Sequence, residues 1–517
     1  MKQNVIMSID CGTQSLRAII FSKKGKMLAK EQVEYEPYFC NQPGWAEQYP
    51  ELYWNSLVKA CQKLENSNPE LFRSIAGVGV TTQRASMINV DKNGVPLRPA
   101  ILWLDQRTSI PVWGQKGLLS AGLNVLGVKK TIDNIQSQGK CNWIMLNQPQ
   151  IWDKTYKYLQ VSGFLNYKLT GEFFDSIASQ IGHVPFDYKK QTWAKKYQLS
   201  SKLFPVPKDK LPTLIQPGEI LGIITSQAAL QTGIKKGVPV IACGSDKGCE
   251  TLGAGITDTK KASLSFGTTA TIQTLSKKYV EIIKYLPSYP APVPGFFNPE
   301  VEIFRGFWMI SWFKKEFAHK ESAKAKKMGI APEEVFNKFL KKTDSGAMGL
   351  IVQPFWGAGL DCPDAKGAII GFGDVHTKAH VYRAVIEGLG FALFEGMEKI
   401  QSKTKIKIEK AAVSGGGSQS DEICKITADI FNIPMIKGQT HETSSLGAAI
   451  IVAKGLDWFS NLDEAVNTMV HVKKIFEPEP DNAEIYKQLY SSVYLKMYKA
   501  LHPLYVQIRD ITGYPKK

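Results

Sequence analysis

Several features that mark membrane, secreted and metal-binding proteins are missing from this 517-residue sequence. No apolar stretch reaches the roughly 20 residues that cross a bilayer, and the apolar run near the N-terminus is too short for the core of a signal peptide. None of the eight cysteines forms a CxxC pair, which excludes the zinc and redox motifs built on that spacing. We therefore expect a cytoplasmic protein with reduced thiols and without a membrane partner.

Two widespread phosphate-binding signatures are absent as well. The sequence contains no GxxxxGKS or GxxxxGKT, which disfavours a P-loop NTPase, and no HRD or DFG motif of a protein kinase. Basic residues outnumber acidic ones, 64 to 47, but they are spread along the chain without a recognised module or an alternation with aromatic residues. We therefore expect no nucleic-acid partner.

The N-terminal segment has the pattern of a three-stranded antiparallel meander. Its apolar runs are Val5–Ile9, Leu16–Phe21 and Met27–Val33. The first of these runs ends in Asp10, and a polar turn containing Gly12 and Thr13 follows it. A related unit occurs much later in the chain, where Ala262–Phe266 and Ala270–Leu275 flank a second Gly-Thr turn at Gly267 and Thr268. The recurrence predicts a duplicated domain; the alternative, from these turns alone, is a chance repetition of the Gly-Thr pair.

Between and after these two strand–turn–strand segments, predicted strands and helices alternate, which favours α/β domains. The predicted strands are Ile75–Val80, Ala100–Leu104 and Val238–Cys243, and the predicted helices are Trp152–Leu169, Ala379–Ile400 and Ser420–Asn432. Apolar and tyrosine side chains recur at steps of three and four from Tyr486 to Leu501, which is typical of a packed amphipathic helix. The proline-rich residues Pro287–Pro299 predict a surface loop.

The two Gly-Thr turns are candidate phosphate-binding loops. Tight glycine turns offer backbone N–H groups and hydroxyls to a phosphate without bulky side chains in the way. Asp10 ends the first strand and could hold Mg²⁺, because this ion typically takes only one or two carboxylates together with phosphates and water. The alternative for Asp10, on local grounds, is a residue that caps the turn.

A second carboxylate, Asp246, follows the predicted strand Val238–Cys243 and begins a glycine-containing turn. The carboxyl end of a strand is where α/β folds place their sites, and phosphorylation of a hydroxyl needs a carboxylate to accept or orient its proton. The alternative is a helix cap. The neighbouring Lys247 would favour the ionised carboxylate, unless its side chain points into solvent.

Taken together, these motifs resemble those of the FGGY carbohydrate kinases, which belong to the superfamily of actin-like proteins, sugar kinases and heat-shock ATPases. The resemblance covers the chain from Asp10 to at least Gly447. The segment IDCGTQSLRAIIF resembles the family's first phosphate loop, and SFGTTATI resembles the second. The substrate-side strand and the W-x-D-x-R element are matched by GVGVTTQRASMINVD and ILWLDQR, with Trp103, Asp105 and Arg107 in place. The family's catalytic-aspartate segment is resembled by GSDKGCETLGAG, and its second signature is resembled by the spacing from Gly367 to Glu387. Its adenosine-binding turn and helix are resembled by VSGGGSQSDEICKITADIFNIPM.

The resemblance implies an α/β fold class with two duplicated actin-like (ribonuclease H-like) ATPase domains and a central cleft. Residues 1–250 would bind the sugar and carry the first phosphate loop, and residues 251–517 would carry the second phosphate loop and bind adenosine. Asp246 would be the catalytic base, and it would bind the substrate together with Gln83, Arg84, Trp103 and Asp105. ATP would be bound by Thr13, Gln14, Ser15, Arg17, Gly267, Thr268, Gly416, Gly417 and Gln419, and Mg²⁺ would be held by Asp10.

The implied activity is transfer of the γ-phosphate of ATP to a hydroxyl of a small ketose, polyol or sugar acid. Glycerol kinases of the family carry an acidic residue after the Gln-Arg pair, where this chain has Ala85, and the Gln-Met-His of xylulokinases is also absent. The identity of the sugar stays open, and so does a glycerol kinase proper. A non-catalytic sugar-binding or regulatory protein of the same fold is the alternative from another class, although Asp246 and the sugar-side set favour a kinase. A homodimer is compatible with the sequence.

Overall fold

The fold is described from a computed structural model, which covers residues 4–330, 332–357, 362 and 364–514. These residues form two compact units. Unit 1 contains the described residues of Met1–Gly253, Tyr289–Phe297 and Ser444–Val470, and unit 2 contains those of Ala254–Ser288, Asn298–Thr443 and His471–Lys517.

The strands are numbered in chain order. They are β1 (Val5–Cys11), β2 (Ser15–Ser22), β3 (Met27–Glu34), β4 (Glu47–Gln48), β5 (Ile75–Thr82), β6 (Met87–Val90), β7 (Ala100–Ile101), β8 (Lys157–Gln160), β9 (Phe174–Ser176), β10 (Phe186–Asp187), β11 (Thr192–Trp193), β12 (Thr213–Ile215), β13 (Ile220–Ile223), β14 (Pro239–Ile241), β15 (Lys261–Phe266), β16 (Ala270–Thr274), β17 (Tyr289–Pro290), β18 (Phe297–Asn298), β19 (Glu300–Ile303), β20 (Ile351–Gln353), β21 (Ala368–Ile370), β22 (Lys410–Ser414), β23 (Met435–Gly438) and β24 (Val472–Phe476).

The α-helices are numbered in the same way. They are α1 (Pro50–Ser67), α2 (Pro69–Arg73), α3 (Gly117–Val125), α4 (Lys129–Ser137), α5 (Lys140–Asn147), α6 (Pro149–Lys154), α7 (Val161–Thr170), α8 (Leu199–Leu203), α9 (Ser226–Thr232), α10 (Asp246–Gly253), α11 (Trp308–Phe317), α12 (His319–Met328), α13 (Pro332–Leu340), α14 (Lys378–Thr404), α15 (Asp421–Phe431), α16 (Thr443–Gly455), α17 (Leu462–Met469), α18 (Pro480–Leu489) and α19 (Leu495–Thr512). Short 3-10 turns occupy Ile177–Ser179, Lys208–Lys210, Ala347–Gly349 and Gly416–Gln419, and one π-helical turn, Tyr490–Tyr494, joins α18 to α19.

The main sheet of unit 1 has the strand order β13-β14-β5-β1-β2-β3. Strands β1, β2 and β3 form the predicted antiparallel meander, while β1 pairs in parallel with β5, and β5 with β14. All residues of β1 and β5 are buried, which explains why their sequences read as continuous apolar or small-residue runs instead of alternating patterns.

The main sheet of unit 2 repeats this plan in the order β19-β16-β15-β22-β23-β24. Three antiparallel strands are followed by two parallel pairings, β15 with β22 and β22 with β23, and by an antiparallel edge strand. The prediction of a duplicated α/β architecture is therefore confirmed. The edge strands differ, because β13 precedes its neighbour β14 in the chain and β24 follows its neighbour β23.

Three local predictions were wrong. The predicted helix Trp152–Leu169 is divided into α6, β8 and α7, because the residues of β8 pair with β6 in a second sheet. The predicted strand Ala100–Leu104 is limited to β7, since a turn begins at Leu102, whose carbonyl accepts a hydrogen bond from the N–H of Asp105. The segment Pro287–Pro299 is not a surface loop, because it contains β17 and its side chains are largely buried.

The tyrosine stripe near the C-terminus packs as predicted. Tyr486, Tyr490 and Tyr494 are buried, and all three rings contact Phe391 of α14, with centroids 6.0, 5.9 and 5.3 Å from its ring. The tyrosine stripe and Met497 therefore belong to the core of unit 2.

Helix α16 lies late in the chain but packs in unit 1. Its apolar side chains share a buried cluster with Ile6 of β1, Phe21 of β2 and Cys249 of α10. The contact with α10 is a backbone approach, because a Cβ added at Gly447 would lie 1.9 Å from the carbonyl oxygen of Cys249. A glycine is therefore required where α16 crosses the helix that begins at Asp246.

We predict that Gly447→Ala lowers the free energy of unfolding by ~2–3 kcal/mol, because a methyl group cannot fit against a backbone carbonyl. The matched control is Gly122→Ala in α3, where an added Cβ meets nothing within 4 Å; this change should raise stability by ~0.5–1 kcal/mol by restricting the unfolded chain. Chemical denaturation of both variants checks the prediction, and equal stabilities for the two variants would contradict this packing of α16.

Candidate active site

The polar residues of unit 1 that the sequence singles out follow the carboxyl ends of neighbouring parallel strands. Asp10 of β1 lies opposite Thr81 of β5 in the parallel register. The hydroxyl of Thr81 donates to the carbonyl of Gly244 at 2.9 Å, and Gly244 lies in the turn that leads from β14 to Asp246. The parallel pairing thus brings the β1 and β14 turns to one edge of the sheet, where open α/β sheets place their sites.

Asp246 is the first residue of α10. Its side chain is 30% exposed, and its Oδ1 lies 3.9 Å from the Nε of Arg84. The same oxygen accepts a hydrogen bond from the backbone N–H of Lys247 at 2.8 Å. The carboxylate is therefore held by its own helix terminus and faces an arginine from the turn after β5, while part of it stays open to a substrate.

Burial and neighbouring charges shift the pKa of Asp246 in opposite directions. Burial raises the pKa of Asp246, and the nearby Arg84 and Lys247 oppose this rise. The ammonium group of Lys247 bonds to Glu250 one helical turn on, at 2.7 Å. Although burial disfavours the charged amine, Glu250 and Asp246 raise the pKa of Lys247. Lys247 thus does not point into solvent, and a mixed chain of two cations and two carboxylates surrounds the start of α10.

Arg84 is oriented from a distant part of the sequence. Its guanidinium lies over the ring of Tyr289, 5.3 Å from the centroid, and that ring makes an edge contact with Tyr188 at 5.9 Å. The next residue, Ala85, has a φ of 54°, a left-handed conformation that is uncommon for residues other than glycine. Strained backbone of this kind often marks a functional turn.

Thr13, Gln83 and Trp103 form a chain of hydrogen bonds. The indole Nε1 of Trp103 donates to the Oγ1 of Thr13, and the Thr13 hydroxyl donates to the Oε1 of Gln83, each at 3.0 Å. Gln48 adds a hydrogen bond from its Nε2 to the Thr13 carbonyl at 2.9 Å. The Trp103 side chain is anchored at its N–H and is still 42% exposed, so its ring offers an apolar face beside the first Gly-Thr turn.

The remaining residues of the first turn are fixed by the β1–β2 hairpin. Arg17 pairs with Asp10, Nη1 to Oδ2, at 3.4 Å. The backbone N–H of Gly12 donates to the carbonyl of Ser15 at 3.0 Å, and the Gln14 carbonyl accepts from the N–H of Tyr35. Among the described residues, no three His, Cys, Asp or Glu side chains form a cluster that could hold a metal ion. A single carboxylate such as Asp10 suits Mg²⁺, which keeps several waters and takes its other ligands from phosphates.

Asp105, unlike Asp246 and Trp103, has a side chain that is fully buried in a network of its own. Its side chain is 1% exposed, and both of its oxygens accept hydrogen bonds from Arg107, at 2.8 Å each. Oδ2 also accepts from the N–H of Ala46 at 2.6 Å. Arg107 continues to Glu47 at 3.0 Å and stacks on Trp45 at 3.8 Å. The assignment of Asp105 to substrate binding stays a prediction, and these contacts favour an indirect role in shaping the turn that carries Trp103.

In unit 2, as in unit 1, polar or glycine-containing turns follow the carboxyl ends of neighbouring parallel strands. Strands β15 and β22 pair in parallel up to Ser265 and Ser414, and each then enters a glycine turn. In this arrangement a Cβ added at Gly415 would lie 3.0 Å from the carbonyl carbon of Phe266. The turn containing Gly267 and Thr268 therefore adjoins the glycine turn after β22.

The two turns of unit 2 differ in openness. Gly416 has no atom within 4 Å of an added Cβ, whereas a Cβ at Gly417 would lie 2.6 Å from the ring of Phe307. Thr268 and Gln419 have exposed side chains. The backbone at Gly416 is thus accessible to a ligand, and the backbone at Gly417 is packed against the core.

Sequence reasoning missed residues next to these turns. The carbonyl of Gly267 accepts a hydrogen bond from the N–H of Phe307 at 3.0 Å, so the second Gly-Thr turn is held by the residues that begin α11. Arg305 precedes them with a φ of 60°, and its guanidinium lies 5.2 Å from the ring centroid of Trp308. No motif marks Arg305, and Tyr289 lies in a segment that the sequence assigns to a loop.

The two repeated sheets define an actin-like ATPase fold, and comparison with known proteins agrees with this class. The structure of a xylulose kinase from Rhodospirillum rubrum superposes with a TM-score of 0.82 at 23% identity, covering 97% of this chain and 99% of that one. The chain is 28% identical to a xylulose kinase from Staphylococcus epidermidis over 99% of this chain and 100% of the relative. It is 26% identical to a gluconokinase from Bacillus subtilis over 98% of each chain.

Family models place the chain within one family. The N-terminal domain model of the FGGY family of carbohydrate kinases matches residues 5–253, and the C-terminal domain model matches residues 262–456. The chain belongs to the FGGY family of carbohydrate kinases. It is an ATP-dependent phosphotransferase that acts on an alcohol group of a small sugar or polyol, as the sequence predicted. Within the residues that the structure describes, no helix has the length and apolarity to cross a membrane.

We predict that Asp105→Asn lowers the free energy of unfolding by ~3 kcal/mol, because it leaves the buried Arg107 with an amide in place of a carboxylate. The control is Glu409→Gln, which breaks the exposed pair of Glu409 with Lys260 and should not change the melting temperature measurably. Thermal and chemical unfolding of the two variants checks this. An Asp105→Asn protein as stable as the parent would show that the buried network has no structural role.

Proposed function

We propose that Asp246 is the general base that accepts the proton of the acceptor hydroxyl. The observation that carries the proposal is its position at the start of α10, partly exposed, with Arg84 at 3.9 Å. Burial raises the pKa of Asp246, and Arg84 and Lys247 oppose this rise; a raised pKa makes a carboxylate a stronger proton acceptor than a fully solvated one. Phosphoryl transfer proceeds through a loose transition state, so the base must above all be well positioned.

The other groups of unit 1 take complementary roles in this proposal. Arg84, fixed on Tyr289, donates hydrogen bonds to oxygens of the sugar, and Gln83 supports the same turn. Trp103 provides a flat apolar face for the carbon skeleton of the sugar, as aromatic rings commonly do in small-molecule sites. Asp105 acts through the turn that it stabilises.

Asp10 is proposed to hold Mg²⁺ through water. The ion, when bound, neutralises charge on the phosphates. The support from the structure is the position of Asp10 at the carboxyl end of β1, next to the Gly-Thr turn, and its contact with Arg17 at 3.4 Å. Asp10 and Asp246 therefore have separate tasks, one on the phosphate side and one on the hydroxyl side.

The nucleotide contacts are proposed for two groups of backbone turns. In unit 1 the residues are Thr13, Gln14, Ser15 and Arg17, and in unit 2 they are Gly267, Thr268, Gly416, Gly417 and Gln419. The openness of the backbone at Gly416 supports an approach of the adenosine there. We add Arg305 as a further cation near Gly267 and Thr268, because a strained arginine beside a phosphate turn is a candidate phosphate contact.

The proposed substrate is a ketose or a sugar acid and not glycerol. Relatives named xylulose kinase and gluconokinase align over nearly the full chain. Position 85 carries a methyl group in a left-handed turn, where glycerol kinases have an acidic side chain, so a carboxylate partner for glycerol is missing at this position. The cytoplasmic location and a homodimeric state stay predictions.

A coupled assay of ADP release over D-xylulose, D-gluconate and glycerol tests the substrate class. We expect kcat/KM for one of the two larger substrates to exceed that for glycerol by at least ~100-fold, because a site that hydrogen-bonds several hydroxyls discriminates against a substrate that lacks them. Glycerol as the best substrate would reject the proposal and favour a glycerol kinase proper.

Substitution of the two carboxylates tests their separate roles. We predict that Asp246→Asn lowers kcat by ~10²–10⁴-fold, since the side chain keeps its size and loses its basicity. The affinity for ATP, measured by isothermal titration, should stay unchanged.

The matched variant is Asp10→Asn, which should weaken the dependence of nucleotide binding on Mg²⁺. Near-normal turnover of Asp246→Asn with the best substrate would exclude Asp246 as the base. A loss of ATP affinity in Asp246→Asn as large as in Asp10→Asn would contradict the division of roles.

A further inference from the structure

A fully buried carboxylate that the proposed function does not use lies in β9. Asp175 is 0% exposed. Its Oδ2 accepts hydrogen bonds from the Oγ of Ser162 at 2.8 Å and from the Nε2 of Gln180 at 2.7 Å. Its Oδ1 accepts from the N–H of Ser176 at 2.9 Å and from the Nδ2 of Asn166 at 3.2 Å. Four donors converge on one side chain.

An arrangement of this kind fixes geometry more than it adds stability. A buried carboxylate pays a desolvation cost that its hydrogen bonds only partly offset, and burial accordingly raises the pKa of Asp175 to about 6. If the segment after Asp175 needed only stability, apolar side chains could pack against it in place of a buried carboxylate. The four donors instead impose one orientation on the residues that follow, because Gln180 also donates to the carbonyl of Ser176 at 3.0 Å.

The residues that follow Asp175 hold the turn that precedes Asp246. The hydroxyl of Ser176 donates to the carbonyl of Cys243. The backbone N–H of Ser245 donates to the carbonyl of Ala178 at 3.1 Å. A Cβ added at Gly244 would lie 3.3 Å from the Cβ of Ala178. Each of the three residues before Asp246 therefore touches the segment Ser176–Gln180.

The same segment continues to the turn that carries Arg84. A Cβ added at Gly182 would lie 2.9 Å from the Cβ of Ala85, so the two backbones are in close contact. The hydroxyl of Tyr188 donates to the Gly182 carbonyl at 3.0 Å and accepts from its N–H at 3.1 Å. Residues 176–182 thus touch the turn before Asp246 with one end and the turn after Arg84 with the other.

We propose that Asp175 is a positioning residue, which fixes residues 176–182 and through them the placement of Asp246 relative to Arg84. The inference rests on the proposed function, since it takes Asp246 as the base and Arg84 as its neighbour in the substrate site. Because Asp175 is fully buried, the proposal gives it no direct contact with either substrate. A displacement of about 1 Å at a reacting group can cost 10²-fold in rate, so the precision that Asp175 provides should appear in turnover.

The test compares two variants with a control. Asp175→Asn turns an N–H₂ group toward the donors and should lower kcat by ~10²-fold, while KM for ATP stays within about twofold. Ser176→Ala removes the hydrogen bond to Cys243 and leaves Asp175 intact; it should lower kcat by ~10-fold with a smaller loss of melting temperature. The second variant keeps the test informative if the first does not fold.

The control is Trp54→Phe, which removes a 2.6 Å hydrogen bond from Trp54 Nε1 to Gln231. The bond joins α1 to the end of α9, and neither helix carries a residue of the proposed site. We expect Trp54→Phe to lower the melting temperature without lowering kcat. If Asp175→Asn and Ser176→Ala lower the melting temperature and leave kcat as unchanged as the control does, the proposal is overturned.

The double variant Asp175→Asn/Asp246→Asn separates this inference from the proposed function. Since Asp175 acts on the placement of Asp246, the double variant should lose much less turnover than the product of the two single effects. A further loss that multiplies the two single effects would overturn the positioning role. Normal turnover of Asp246→Asn would overturn the proposed base, whereas an inactive Asp246→Asn beside a fully active Asp175→Asn would overturn only the role of Asp175.

Discussion

The rest of this structure depends on one kind of strand pairing. In each unit, the first strand of a hairpin pairs in parallel with a strand from later in the chain. In unit 1, β1 is bonded on one side to β2 of its own hairpin and on the other to β5, and β5 is bonded to β14. Strands that run in parallel end at the same edge of the sheet. Turns separated by more than 200 residues, around Asp10 and Asp246, are therefore brought to one edge.

The same constraint operates in unit 2 with other side chains. There the parallel pairing of β15 with β22 places two glycine turns next to each other. The chemistry of the two edges differs. The unit 1 edge carries carboxylates, arginines and an exposed tryptophan, which suit proton transfer and hydroxyl recognition, and the unit 2 edge carries accessible backbone and a threonine, which suit phosphates and adenosine. In the proposed function, one architecture used twice supplies both a hydroxyl-binding surface and a nucleotide-binding surface.

Much of the fold and part of the candidate site were predictable from the sequence, because local patterns determine them. Three apolar runs indicated the meander, and the residue composition indicated the glycine turns. Asp246 was found because it follows a predicted strand. The substrate class beyond a small sugar or polyol was not visible, since it depends on which side chains surround the acceptor. Tyr289 was missed because its role is a contact with a residue far away in the chain.

Other failures have the same physical origin. The predicted helix over Trp152–Leu169 was wrong because the pairing of β8 with β6 overrides the local apolar pattern. The packing of α16 in unit 1 depends on a glycine that only matters where two helices cross. Asp175 carries no sequence signal at all, because its four donors come from positions up to 13 residues away and become neighbours only in the folded chain.

The central claim is that Asp246 receives the proton of the acceptor hydroxyl, and a crystal structure of the Asp246→Asn variant with its best sugar and a nucleotide tests it most directly. The account predicts one sugar hydroxyl within ~2.6–3.2 Å of the side-chain oxygen of residue 246, with Arg84 bonded to a neighbouring oxygen of the sugar. A sugar bound with its reactive hydroxyl next to another carboxylate, such as Asp10, and away from residue 246 would contradict it.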